Sequence, residues 1–136
     1  MSHAELVPYA ALILRVALAI LFFAHAWLKY AVFMPAGTVQ YFQSLGLPGS
    51  LAYVTMVAEI VIGAGLLLGV LTSIAALGGL IIVLGTIVKV HGSKGWVFTN
   101  KDGGWEYPAF WAVGLIVQIL LGDGAFALGP VLGIRF

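Results

Sequence analysis

The chain has 136 residues, of which 62% are hydrophobic and only 8% are charged. A soluble domain carries about 25% charged residues, so this composition could not cover a surface that faces water, and it indicates an integral membrane protein. The absence of cysteine excludes disulfides, iron–sulfur clusters and thiolate zinc sites, and a net charge of +1 gives no electrostatic basis for binding nucleic acid.

Four apolar segments follow one another along the chain, and we expect each to cross the membrane as a helix. They span residues 8–28, 51–70, 74–90 and 107–122, whereas the strands of a transmembrane barrel would alternate over about ten positions. A hydrocarbon layer of ~30 Å needs about 20 apolar residues in a helix, so the fourth segment is short. Residues 1–7 lack the basic region and cleavage site of a signal peptide, so we expect the first span to be retained.

The connections between the segments are unequal in length. The second and third segments are joined through residues 71–73, which predicts an antiparallel hairpin. In the long first loop, Val39, Phe42 and Leu45 recur at helical spacing beside polar residues, which predicts a short helix lying in the membrane interface. The predicted fold is therefore all-α: one domain over residues 1–136, formed by a four-helix transmembrane bundle with a short interfacial helix in the first loop.

Two charged side chains lie well inside apolar segments, Arg15 in the first and Glu59 in the second. An ionised group in hydrocarbon costs about 3 kcal/mol or more, so each should face the other helices and find a partner. Measured from the end at the first loop, Arg15 lies about 20 Å deep and Glu59 about 12 Å, within reach of one another. We therefore predict a buried Arg15–Glu59 ion pair, which either belongs to a ligand pocket or only fixes the helix register.

A second group of polar and aromatic residues is expected where the helices meet the first and third loops. Lys29 and His25 share a face of the first helix with Arg15, within about 80° at ~100° per residue. The candidates for ligand binding or proton exchange are His25, Lys29, His91, Trp105, Glu106 and Tyr107. Histidines can exchange protons near neutral pH, whereas aromatic residues and lysines at helix ends also form the ordinary interfacial belt of membrane proteins.

No metal site is predicted. His25, His91 and Glu106 could supply three ligands, but no tight spacing such as HxxxH supports such a site. Both internal histidines also lie too near the helix ends to be the paired axial ligands of a buried haem. The sequence therefore leaves the cofactor unknown.

Several short motifs occur in a fixed order along most of the chain. They are Leu14-Arg15-Val16-Ala17-Leu18-Ala19, His25 with Lys29, Ser44-Leu45-Gly46-Leu47-Pro48, Ala58-Glu59 before Gly63-xx-Leu66-Leu67-Leu68-Gly69, and His91 before Gly103-Gly104-Trp105-Glu106-Tyr107. In order and spacing these motifs resemble the DoxX family of four-helix membrane proteins. That family is named after a small membrane subunit of a thiosulfate:quinone oxidoreductase, or terminal quinol oxidase, of sulfur-oxidising archaea. The resemblance covers about residues 12–128 and assigns no catalytic role to any side chain.

The resemblance implies a small membrane subunit of a redox-linked assembly, in the cytoplasmic (inner) membrane of a bacterium or archaeon. In this hypothesis a quinone headgroup or another small polar ligand binds between the buried charges. Electron transfer would then need a cofactor or a partner subunit, because no side chain here carries electrons readily.

Two other functions stay open at this point. The chain could be a non-enzymatic scaffold or anchor for a partner complex, or a binder or carrier of a small solute. Against transport stand its short length and the absence of inverted repeats, for which a homo-oligomer could compensate. The sequence leaves open whether the chain is itself an enzyme.

Overall fold

The computed structural model describes residues 1–135 and consists of helices joined by turns and loops. The α-helices of this part of the chain are α1 (His3–Trp27), α2 (Met34–Ser44), α3 (Ser50–Leu68), α4 (Thr72–Thr86), α5 (Glu106–Leu121) and α6 (Leu128–Val131). π-helical turns extend α1 through Leu28–Val32 and α4 through Ile87–His91, and a 3₁₀ turn follows at Gly92–Lys94. Residues 1–135 contain no β-strand, which confirms the all-α prediction.

Three continuous helical stretches are long and apolar enough to cross a membrane. They are His3–Val32, Ser50–Leu68 and Thr72–Lys94. Helix α5 is apolar too, but with 16 residues it is about 24 Å long, which is less than a hydrocarbon layer of ~30 Å. The chain is therefore a multi-pass membrane protein.

Helix α1 begins at His3, ahead of the predicted first segment, because its N-terminus is closed by a capping box. The Ser2 hydroxyl accepts a hydrogen bond from the Glu5 N–H at 3.3 Å, and the Ser2 N–H donates to the Glu5 carboxylate at 2.6 Å. These two bonds occupy backbone donors that a helix start leaves free. The helix therefore runs through Pro8 instead of starting at that residue.

A helix is present in the first loop, where one was predicted. Helix α2 follows the π turn of α1 after Phe33, and the chain changes direction at Met34, whose φ of +64° is uncommon for a residue with a side chain. Helix α2 packs against both α3 and this π turn. Its position in the membrane interface stays a prediction.

Four helices share one core. Helix α1 packs against α3 and α5, and α4 packs against the same two helices. The buried cluster consists of Leu18, Ala19, Phe22, Ile62, Leu66, Ala76, Val83, Trp111, Ala112 and Leu115. The outward faces carry exposed large apolar residues such as Ile13, Ile81 and Leu120. Such a surface suits contact with hydrocarbon rather than water.

Phe22 lies at the centre of this core, where α1, α4 and α5 converge. Its ring is fully buried and packs against Trp111, with the ring centroids 4.8 Å apart. The other side of the ring lies on Gly79 of α4, where an added Cβ would overlap the Cζ of Phe22. The close approach of α4 to α1 therefore requires glycine at this position.

We expect Gly79→Ala to lower the midpoint temperature of unfolding in detergent. Overpacking of a well-filled core costs about 1–3 kcal/mol, which exceeds the ~1 kcal/mol that alanine gains over glycine in a helix. Gly85→Ala is the matched control, because Gly85 lies in the same helix and an added Cβ there meets nothing within 4 Å. An equal or higher melting temperature for Gly79→Ala than for Gly85→Ala would contradict this account of the core.

Candidate functional site

The π-helical turn at the end of α1 presents Lys29 to α3. A π turn closes its hydrogen bonds five residues back along the chain, as the Phe33 N–H does by donating to the Leu28 carbonyl at 2.9 Å. Lys29 lies within this turn, and its Nζ donates to Glu59 Oε1 at 2.7 Å. The ion pair therefore links the end of α1 to the middle of α3.

The hydroxyl of Thr38 in α2 fixes the backbone of this turn. Its Oγ1 lies 2.9 Å from the Lys29 carbonyl oxygen and 3.0 Å from that of Met34, and these two acceptors share its single proton. Thr38 is only 2% exposed, so water does not compete for these bonds. This buried hydroxyl thus hydrogen-bonds α2 to the backbone of Lys29.

Glu59 is a buried carboxylate with one occupied oxygen. The residue is 2% exposed, and Oε1 accepts the hydrogen bond from Lys29. The second oxygen, Oε2, is also buried and has no hydrogen-bond partner among residues 1–135. A carboxylate oxygen can accept more than one hydrogen bond, so Oε2 can bind a donor supplied by a ligand.

The predicted Arg15–Glu59 ion pair is wrong, because each of these residues binds a different partner. Arg15 Nη1 donates to the carbonyls of Leu66 and Leu67, both at 2.8 Å, at the C-terminal end of α3. These carbonyls lie about 10 Å beyond Glu59 along the helix axis. The last carbonyls of a helix lack partners within the helix and carry partial negative charge, so they stabilise a guanidinium without a carboxylate.

His25 lies one helical turn before Lys29 and faces α5. Its Nδ1 donates to the Leu21 carbonyl at 2.8 Å, because a carbonyl can only accept, and Nε2 is thus left as an acceptor in the neutral ring. The imidazole packs against Trp111 at a centroid distance of 4.7 Å and is stacked on Tyr107 at 6.3 Å. Lys29 and His91 are close enough to His25 to act on it electrostatically.

His91 belongs to the second π-helical turn, at the end of α4. Its Nδ1 donates to the Gly103 carbonyl at 3.0 Å and so ties α4 to the long third loop. Both π turns within residues 1–135 therefore carry a candidate residue, Lys29 in one and His91 in the other. Such turns are rare and are often found at functional sites.

Trp105 and Glu106 are engaged with the third loop itself. The Glu106 carboxylate accepts a hydrogen bond from the Phe98 N–H at 3.1 Å. The Trp105 ring meets Trp96 edge-to-face at a centroid distance of 4.6 Å. These contacts stabilise the loop, whereas His25, Lys29, His91 and Tyr107 lie near one another around the end of α1.

Two residues that the sequence did not single out contribute to this site. One is Thr38, and the other is Trp111, whose indole Nε1–H is buried and has no hydrogen-bond acceptor in the described part of the chain. The position of Trp111 inside an apolar segment, rather than at its end, was a usable signal, because tryptophan prefers the membrane interface. No spacing rule connects Thr38 with Lys29.

An open apolar groove lies on the outer face of the molecule. It has a volume of about 370 Å³ and lies between α1 and α3. Its lining residues are Phe23, Ala26, Trp27, Tyr30 and Ile60. Tyr30 and Ile60 directly follow Lys29 and Glu59 in sequence, so the groove lies at the same level along the two helices as the ion pair.

The arrangement does not resemble a metal centre. Among residues 1–135, no three histidine, aspartate or glutamate side chains lie close enough together to hold a metal ion. The ligand set His25, His91 and Glu106 is therefore not assembled. What the side chains form instead is a hydrogen-bonding site with an ammonium donor, a carboxylate acceptor and aromatic rings.

Comparison with known proteins gives a family match and one curated relative. The model of the DoxX family matches residues 10–92, a range that includes the ion pair and both internal histidines. The protein "Putative oxidoreductase CatD" of Bacillus subtilis (strain 168) is 35% identical over 79 residues, which are 58% of this chain and 58% of that protein. This chain thus spans little more than half the length of that relative. No solved structure matches the chain.

We expect double-mutant cycles to show that Glu59 is coupled to Lys29 and not to Arg15. Removal of one partner of a buried ion pair costs about 3–5 kcal/mol because a charge is left unpaired. Lys29→Met and Glu59→Gln should therefore be strongly non-additive in the free energy of unfolding. Arg15→Met and Glu59→Gln should add to within about 0.5 kcal/mol, as distant sites do. Additive effects of Lys29→Met and Glu59→Gln, with non-additive effects of Arg15→Met and Glu59→Gln, would instead support the Arg15–Glu59 pair.

We expect Thr38→Val to release Lys29 from Glu59, because valine has the shape of threonine but cannot bond the Lys29 carbonyl. The measurement is acylation of the Lys29 amine by a water-soluble reagent, mapped by mass spectrometry. Exposed Lys89 supplies the internal reference for reagent dose. Labelling of Lys29 should rise several-fold in Thr38→Val and stay at the wild-type level in Thr38→Ser, which keeps the hydroxyl. Equal labelling in all three proteins would rule out this role of Thr38.

Proposed function

Since the chain belongs to the DoxX family, we propose that it is a small integral membrane subunit of a redox-linked oxidoreductase assembly. In this proposal a quinone headgroup, or another small polar ligand, binds beside the Lys29–Glu59 pair. The Bacillus subtilis relative has the word oxidoreductase in its name, and the family match covers both helices that supply the pair. The proposed location is the cytoplasmic (inner) membrane of a bacterium or archaeon.

The proposed topology has four membrane spans, formed by α1, α3, α4 and α5. Support for α5 as the fourth span comes from its packing, since it contacts α1 and α4 and supplies Trp111, Ala112 and Leu115 to the common core. A span of 16 residues can be accommodated by local thinning of the bilayer. In this arrangement α2 lies in the interface, on the same side as the Lys29–Glu59 pair.

The observation that carries the proposal is the buried carboxylate of Glu59 with one free oxygen. Ionisable residues inside a membrane protein are expensive to bury and usually belong to a functional site. Glu59 Oε2 can accept a hydrogen bond, and the Lys29 ammonium has donors beyond the one used in the pair. A ligand at this point would meet donors and an acceptor together.

The chemistry of these side chains suits a quinone. Quinone oxygens can accept hydrogen bonds from Lys29, and the hydroxyl of the reduced quinol can donate to Glu59 Oε2. The ring can stack on the aromatic cluster of Tyr107 and Trp111, and His25 can exchange a proton through its free Nε2. The groove of about 370 Å³ between α1 and α3 can receive an apolar tail. Electrons must come from a cofactor or a partner subunit, because side chains alone do not supply redox chemistry.

One observation favours the alternative that the chain is a non-enzymatic scaffold or anchor. In the described part of the chain, the hydrogen bonds of Arg15 end on backbone carbonyls, those of Leu66, Leu67 and Phe126. Such bonds set the register between α1 and α3 and need no ligand. If the Lys29–Glu59 pair has the same purpose, its variants should change stability alone.

Binding of a quinone with a single isoprenoid unit to the purified protein in nanodiscs separates these possibilities. The readout is saturable quenching of tryptophan fluorescence, to which Trp111 in the site contributes. We expect Glu59→Gln and Lys29→Met to weaken binding at least tenfold, because each removes a charged hydrogen-bonding group. Glu5→Gln is the matched control, since glutamine can keep the capping bond of this exposed residue.

Two outcomes would count against the proposal. Absence of saturable quenching in the wild-type protein would favour the scaffold. Equal affinity in wild type, Glu59→Gln and Lys29→Met would place quinone binding away from the ion pair. Because these substitutions also affect stability, His25→Gln serves as a second variant that leaves the ion pair intact, and it should weaken binding without lowering the melting temperature to the same extent.

A further inference from the structure

A second polar cluster lies at the opposite end of the core, where α3 and α5 end and α4 begins. The backbone N–H of Thr72, the first residue of α4, donates to Asp123 Oδ1 at 3.2 Å. Gln118 Nε2 donates to the Gly122 carbonyl at 3.1 Å, at the end of α5. Asp123 is also close enough to Arg15 to act on it electrostatically. These contacts bring Arg15, Thr72 and Gln118 to one end of the molecule.

The segment after α5 folds back over this cluster. The Phe126 carbonyl accepts a hydrogen bond from Arg15 Nη2 at 3.2 Å, and the Gly129 N–H donates to the Gly69 carbonyl at 2.9 Å. Ala127 is buried directly on Gly69, which leaves no room for a Cβ at that glycine. Residues 122–129, which we call the strap, therefore close the cluster off from solvent.

Three side-chain atoms under the strap are buried and have no hydrogen-bond partner among residues 1–135. They are Arg15 Nε, Thr72 Oγ1 and Gln118 Oε1. Their residues are exposed by only 1%, 1% and 0%. Buried polar groups are bonded in nearly all folded proteins, because an unpaired group loses its hydration without compensation.

We infer that these three atoms face one enclosed site, which binds water. The set consists of one N–H donor, one carbonyl acceptor and one hydroxyl that can do either, and a water molecule with about three hydrogen bonds matches it. The Arg15 charge disfavours a cation there, while Asp123 and the Gln118 oxygen disfavour an anion. The bound molecule is therefore neutral, and it joins α1, α4 and α5 beneath the strap.

This water site is independent of the proposed function. The Lys29–Glu59 pair lies at the other end of the four-helix core, and the side chains between the two ends include Leu18, Phe22 and Leu115, all buried and apolar. A result at one end therefore does not decide the other.

Thr72→Val tests the site through the sign of its effect on stability. The substitution keeps the shape of the side chain and the backbone bond to Asp123, and it removes only the unpaired hydroxyl. If the hydroxyl binds water, the midpoint temperature of unfolding should fall by a few degrees. If the site is dry, that temperature should rise, because a buried unpaired hydroxyl has been removed. Thr86→Val in the same helix is the control for loss of a hydroxyl with a protein partner, since Thr86 bonds the Ile82 carbonyl.

X-ray hydroxyl-radical labelling of the wild-type protein supplies a second measurement, because radicals formed from a bound water oxidise adjacent buried side chains. Arg15, whose Nε faces the site, should be labelled although the residue is only 1% exposed. Phe22, equally buried in the apolar core, should stay unlabelled. Labelling of Arg15 together with a lower melting temperature for Thr72→Val supports the site. Absence of Arg15 labelling, or a melting temperature of Thr72→Val at or above that of wild type, overturns it.

Discussion

A carboxylate placed among hydrocarbon must bring its own hydrogen-bond donor, because no water is available to solvate it. In this protein Lys29 is that donor for Glu59, at 2.7 Å. Several features of the fold meet at this pair. It links α1 to α3, it lies at a π turn at the end of α1, and the Thr38 hydroxyl of α2 bonds the backbone of that turn. Three helices are thus connected at one buried acid.

The two ends of the core stabilise buried charge in different ways. At one end an ammonium pairs with a carboxylate whose second oxygen has no partner among residues 1–135. At the other end the Arg15 guanidinium binds the last carbonyls of α3, whose partial negative charge takes the place of a carboxylate. Apolar side chains such as Phe22 fill the space between, which keeps the two polar regions separate. The proposed ligand site and the contacts of Arg15 therefore use different side chains.

Hydropathy alone predicted the all-α architecture and the approximate positions of its long helices, because a membrane protein must satisfy its backbone within helices. The partner of Glu59 could not be predicted in the same way. Depths counted at a fixed rise per residue locate Cα atoms on straight helices, whereas the flexible stem of Lys29 and the π turn beneath it decide where the ammonium lies. Helix α1 starts at His3, ahead of the predicted start at residue 8, because of the capping box at Ser2.

The candidate site could be predicted only in part, for similar physical reasons. His25, Lys29 and His91 were chosen because titratable residues near the ends of membrane helices are conspicuous in sequence. Lys29 and His91 act electrostatically on His25, and a common role in a site stays a prediction. Glu106 is also a titratable residue near a helix end, but its carboxylate accepts a hydrogen bond from the Phe98 N–H of the third loop. The contribution of Thr38 depends on a carbonyl presented by the π turn, and no sequence pattern reports such a turn.

A π-helical turn is an α-helix into which a single residue has been inserted. Loss of one residue from Leu28–Val32 would return the backbone to a regular helix and rotate everything on one side of the deletion by about 100° relative to the other. The length of this short stretch, together with the lysine it carries, therefore places a cation opposite Glu59.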